Sequence, residues 1–171
     1  MNCLYNMASK FTFEEYKKFN YALLKKRHHF LILAIYEIII ALIGIGTENM
    51  LIIAFTIVFP LILYWIQNKN IKKIYNSNKI VQNLDVNYEF YDTYLVEKSE
   101  HGEMKVEYAK LDEIFETKTN FYLMIAKNQG YMLPKSDMPT GLEEFIRNIK
   151  IKCWVLDRKW YCNWIYDIYR D

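Results

Sequence analysis

Two apolar stretches, Phe30–Gly46 and Met50–Ile66, constrain this chain more than any other feature. Each holds 17 residues, the first with a single charge, Glu37, and the second with none. The short polar turn "TEN" separates them. With a rise of about 1.5 Å per residue, each arm spans roughly 25 Å, a little short of a hydrocarbon core of about 30 Å. Bordering residues with long side chains can complete such a span. A helix at the edge of a globular domain shows one apolar stripe and one polar face. Both arms are instead apolar all round, and a polar remainder of about a hundred residues is too small to enclose them.

Flanking charge points the same way. "KKRHH" (Lys25–His29) precedes the first arm and "NKNIKK" (Asn68–Lys73) follows the second, whereas the turn carries Glu48 and no base. By the positive-inside bias, both ends lie on the cytoplasmic side and the turn outside, with Tyr64 and Trp65 in an interfacial aromatic belt. The expectation is an integral membrane protein with two spans and both termini cytoplasmic; a buried helical hairpin is the alternative. A cleaved leader is not expected, because a second apolar arm follows at once and no small-residue cleavage site intervenes.

Composition supports this division. The chain has 171 residues, 53% of them apolar, yet its mean hydropathy is slightly negative, so the apolar residues are concentrated. Residues 1–80 carry a charge of +6 and residues 81–171 a charge of −4. A basic half around an apolar block suits a bilayer surface, and no basic stripe with interleaved aromatics favours nucleic acid. Cys3, Cys153 and Cys162 are odd in number and form no C-x-x-C pair, so neither a disulfide framework nor a zinc site is indicated.

Ahead of the first arm, Thr12 and Glu15 have capping-box spacing, and Tyr16, Phe19 and Leu23 follow on one helical line. This predicts an amphipathic helix at the inner membrane surface, or else a helix packed on the soluble part. The divisions expected are an N-terminal helical element over 1–29, the hairpin over 30–66, a basic linker over 67–83 and a cytoplasmic domain over 84–171. In that last segment, "VNYEFYDTYLVEK" and "MKVEYAKLDEIFETKTNFYLMIAKNQGYML" read as short alternating strands broken by turn residues. "TGLEEFIRNIK" follows as a helix with Thr140 and Glu143 in capping-box spacing and Leu142, Phe145, Ile146 and Ile149 on one face. The fold class is thus α+β: a two-helix hairpin, then a small antiparallel meander closed by a C-terminal helix. The aromatic tail, with Trp154, Trp160, Trp164, Tyr161, Tyr166 and Tyr169, is expected to dock on the sheet, with the membrane interface as the alternative.

The segments "YEFYDTYL", "EYAKLDEIFETKTNFYLMI" and "YMLPKSDM" followed by "EEF" resemble the YcxB-like family of small bacterial membrane proteins. The lead-in "FTFEEYKKFNYALLKKR" and the apolar pair match that family's layout, so the resemblance extends to about Ile151. It implies a pleckstrin-homology-like cytoplasmic domain and brings no assigned activity with it. A fold of that kind licenses a binding role by analogy alone.

Chemistry-bearing patterns are sparse. No P-loop, dinucleotide glycine pattern, nucleophile elbow or H-E-x-x-H helix occurs, and five glycines leave no phosphate-cradling loop. Adjacent His28 and His29 point about 100° apart on a helix and make a poor metal pair. Asp112, Glu113 and Glu116 read as a solvated strand face. No enzyme activity, cofactor or metal is therefore expected. Two polar features stand out. Lys135, after Pro134, can meet an acidic peptide or a lipid phosphate where a strand ends; alternatively Pro134 ends the strand and Lys135 guards its edge. Glu37 falls near mid-span, where a lone carboxylate is costly. Pro60 leaves the Thr56 carbonyl without its helical donor, so a protonated Glu37 can bond that carbonyl or the Thr56 hydroxyl, or pair with a second protomer or another membrane protein. The expected partners are the bilayer and either a protein or lipid headgroups, with homo-oligomerisation open. An immunity- or stress-type protein whose hairpin contacts a toxin, channel or transporter is the alternative function.

Overall fold

A computed structural model of the chain describes residues 2–80 and 82–149. The expected docking of the aromatic tail therefore lies outside the described residues. The chain forms two compact units, one from Met1–Phe11 with the chain from Leu84 onward, the other from Thr12–Asn83.

In the Thr12–Asn83 unit, α1 (Phe13–Lys26) opens on Thr12, whose side chain accepts from the Glu15 amide. Glu14 and Glu15 in its first turn and Lys25 and Lys26 in its last complement the helix dipole. His28, at a left-handed φ of 56°, breaks the path before α2 (His29–Gly46). The turn into α3 (Met50–Ser77) is closed by Asn49, whose side chain accepts from the Leu51 and Ile52 amides. Gly44 lets α2 and α3 approach: a Cβ there would sit 2.9 Å from Ile52 Cγ2. Both helices are long and apolar enough to cross a membrane, with 6% and 0% of their apolar windows buried. Their side chains, Leu31, Ile38, Leu42, Leu51, Ile57 and Leu61 among them, are exposed. The buried-hairpin alternative does not describe this unit.

The linker expected over 67–83 is instead mostly helix, since α3 runs on to Ser77. No glycine or proline interrupts "IQNKNIKKIYNS", and Ile71 and Tyr75, four residues apart, fall on one face and are buried. The α1 line expected at the membrane surface meets this extension: Phe13 and Tyr16 lie 5.5 and 5.7 Å from the Tyr75 ring. The Tyr21 hydroxyl donates to Asn68 Oδ1 at 3.1 Å.

The other unit holds two antiparallel sheets. The first has the order β1 (Tyr5–Phe11), β2 (Leu84–Phe90), β3 (Tyr94–Ser99), β4 (Gly102–Glu107). The second has the order β5 (Glu113–Glu116), β6 (Asn120–Ala126), β7 (Gln129–Pro134). Residues 142–149 form the helix α4. β1 corrects the expected division of the chain: residues 5–11 are a strand, and they pair with β2 from Tyr5↔Phe90 to Phe11↔Leu84. Thr12–Asn83 is thus inserted between two neighbouring strands. The alternation that marks β1 is weak, because Met7 is its only fully buried residue.

Met7, Val86, Tyr88, Phe90 and Leu95 from the first sheet share one core with Phe121, Leu123 and Leu133 from the second and Leu142 and Ile146 from α4. The helix starts one turn residue later than the expected Thr140 cap. The Gly141 carbonyl accepts from the Phe145 amide at 3.1 Å, and Glu143 turns to Arg147. Gly141 has a φ of 91° and packs against Tyr5, where a Cβ would lie 3.0 Å from the hydroxyl.

Candidate functional site

Pro134 ends β7, and Lys135 begins a short 3-10 turn, Lys135–Asp137. The Lys135 amide donates to the Thr119 carbonyl at 2.9 Å, and Ser9 Oγ donates to Asp137 Oδ2 at 3.1 Å. The backbone of the turn is thereby fixed. Lys135 Nζ donates to Glu116 Oε1 at 2.6 Å, at the end of β5. Arg147 of α4 donates to the same carboxylate through Nη2 at 2.8 Å and Nε at 3.3 Å, and through Nη2 to Glu143 at 3.2 Å. The Lys135 ammonium also lies 4.8 Å from the Phe121 ring centre.

Two cations therefore meet two carboxylates. The Arg147 guanidinium, with Lys135 beside it, holds the Glu116 carboxyl down to about 2 against the opposing effect of burial. Little net charge remains to attract a phosphate, and the Lys135 side chain is only 19% exposed. The geometry favours the structural reading of Pro134 and Lys135: a three-way clasp of β5, β7 and α4. Glu116, read from the sequence as a solvated face, is its centre. Arg147 has no signal in the sequence beyond its i,i+4 spacing from Glu143.

Glu37 and Thr56 are both half-buried on α2 and α3, but the expected bond between them is not made. Thr56 Oγ1 donates to the Ile53 carbonyl of its own helix at 2.8 Å, which satisfies a hydroxyl with no outside partner. Glu37 Oε2 is buried and has no hydrogen-bond partner among the described residues. A carboxyl oxygen in that position is a standing free-energy cost that a partner would relieve. Among the described residues, no group of three His, Cys, Asp or Glu side chains is placed to hold a metal ion.

Comparison with known proteins places part of this architecture. Residues 90–149 match the model of the family described as YcxB-like protein, which takes in the last residue of β2, β3 to β7 and α4. No curated protein and no solved structure matches the chain.

Proposed function

With the YcxB-like match over residues 90–149 as premise, we propose that this chain is a membrane-anchored binding module without enzymatic activity. In this reading α2 and α3 cross a bacterial inner membrane as a hairpin, and the β unit is a pleckstrin-homology-like domain in the cytoplasm. It recognises a protein partner or lipid headgroups. The observation that carries the reading is the pair of exposed apolar helices inserted between β1 and β2. Exposed apolar surface on this scale has no place in water. Both ends of the insertion return to one β unit, so two crossings put them on the same side, where Lys25, Lys26, Arg27, Lys69, Lys72 and Lys73 lie. A four-stranded and a three-stranded sheet followed by the helix α4 support the pleckstrin-homology-like assignment.

A second reading, in which the hairpin itself contacts a toxin, channel or transporter, is favoured by one observation: the buried, unpartnered oxygen of Glu37. In-cell crosslinking separates the two. The intact chain is compared with one whose residues 30–66 are replaced by an unrelated two-span hairpin. Partners retained after the exchange support the β unit as the recognition element. Partners lost support the hairpin, and recovery of the intact chain outside the membrane fraction overturns both.

A further inference from the structure

Strand β3 breaks the rule that one face of a sheet is apolar. Leu95 is buried in the core, and Glu97, two residues on, points to the same side. Its cross-strand neighbours confirm the face: Glu97 stands opposite Tyr88 on β2 and opposite Met104 on β4. Tyr88 is 4% exposed and Met104 is 54% exposed, so the inward face is closed at one neighbour and open at the other. Across from them, Tyr131 of β7 meets Tyr88 edge-on, with ring centres 5.9 Å apart and planes at 76°. Its hydroxyl donates to Met104 Sδ at 3.2 Å, a weak acceptor for a phenol. A carboxylate, two tyrosine rings and a thioether thus converge at the lip of the core.

Among the described residues, no cation is paired with the acid on this face. The cations of the β3–β4 hairpin lie on the other one: Lys98 Nζ bonds Glu89 at 2.7 Å, and Lys105 Nζ sits 3.8 Å over the Tyr94 ring. Burial raises the Glu97 carboxyl above the ordinary carboxylate range. It also raises the Tyr88 hydroxyl, and pushes that of Tyr131 up to about 12, with the Glu97 charge adding to each. Each of these groups is short of positive charge.

We propose that the lip formed by Glu97, Tyr88, Tyr131 and Met104 is a binding site for the alkylammonium group of a lysine on a protein partner. This rests on reading the β unit as a binding module and names the chemistry it recognises. The carboxylate supplies the counter-charge, and the buried Tyr88 and Tyr131 form the apolar floor beneath it. Met104 and the half-buried Val106 offer apolar surface for the methylene stem. Charge around the lip selects the source. Residues 94–107 carry Glu97, Glu100, Glu103 and Glu107 against Lys98 and Lys105, a net charge of −2, with Glu103 and Glu107 on the opposite face beside Lys98 and Lys110. The hairpin as a whole disfavours an anionic membrane surface and favours a basic protein segment.

The test uses the full chain in zwitterionic nanodiscs with 13C-methyl-labelled methionine, the Met104 signal being assigned with Met104→Leu. n-Butylammonium and N-acetyl-lysine methylamide are titrated, with n-butanol as the uncharged control. The expected result is a saturable shift of the Met104 methyl by both amines, with a dissociation constant of about millimolar order, and none by butanol. Glu97→Gln should weaken this by about tenfold or more, while Glu97→Asp retains most of it. Unchanged Met7 and Met132 signals certify that both variants are folded. No shift, an equal response to butanol, or Glu97→Gln binding as tightly as the parent would overturn the proposal. So would a Glu97→Gln variant that aggregates with its amine response intact, for Glu97 would then guard the sheet edge. Such an outcome leaves the binding-module reading to the crosslinking result, which does not depend on Glu97.

Discussion

Cutting the chain at Leu84, where the sequence alone suggests the domain begins, takes β1 away from β2. The loss can be worked from the structure. Met7 is 1% exposed and sits opposite Tyr88, in the middle of the core. Its removal resembles a large-to-small core truncation, about 2–5 kcal/mol. Tyr5 and Phe11, partly buried against the same core, bring the loss to roughly 3–6 kcal/mol by area. The ladder hydrogen bonds contribute too, but the ordering entropy of the strand roughly offsets them. A small domain has only about 5–15 kcal/mol in all. A fragment spanning residues 84–171 should therefore melt at least ~15 °C lower than an intact domain, or be unfolded. The comparison chain replaces Thr12–Asn83 with Asn-Gly. Phe11 and Leu84 are directly paired, so a two-residue type I′ turn can join them without changing register. Thermal melts by circular dichroism, with amide hydrogen exchange on β2, read the difference. Equal melting temperatures for the fragment and the linked chain would refute the account of β1.

Two further outcomes follow from named contacts. Glu116 has its folded pKa lowered from 4.5 to about 2, so its contribution to stability is complete above the unfolded value and is lost as pH falls toward 2. With Arg147 half exposed, that contribution is about 1–2 kcal/mol; Glu116→Gln should remove it at pH 7 and flatten the acid limb of a urea-denaturation series between pH 5 and pH 2. Gly44→Leu should force α2 from α3, because even a Cβ there meets Ile52 at 2.9 Å; the thermal stability of the hairpin in detergent would fall, and an unchanged melt would contradict the close approach.

Much of this was legible in the sequence, for reasons that are local. The apolar arms, the Thr12 cap and the β3–β7 alternation each declare themselves within a few residues. β1 does not, because "YNMASKF" buries one residue fully and finds its partner strand beyond a long insertion. Lysine and asparagine disguised the end of α3 as a linker, although Ile71 and Tyr75 keep helical spacing. At Lys135 the sequence offered two readings and the contacts favour one, since Glu116 and Arg147 reach it from distant elements. Glu97 was visible only as a charge in phase with Leu95, a signal that needs the sheet's faces to be known.

The central claim is that the α2–α3 hairpin crosses a membrane with the β unit inside. It is tested most directly with single cysteines at Thr47, in the turn, and at Ser99, the last residue of β3, in a chain whose native Cys3, Cys153 and Cys162 are replaced by serine. An impermeant maleimide is applied to cells whose inner membrane is intact. The account expects Thr47→Cys to be labelled without lysis and Ser99→Cys only after it. Protection of position 47, or labelling of position 99 on intact cells, would contradict it.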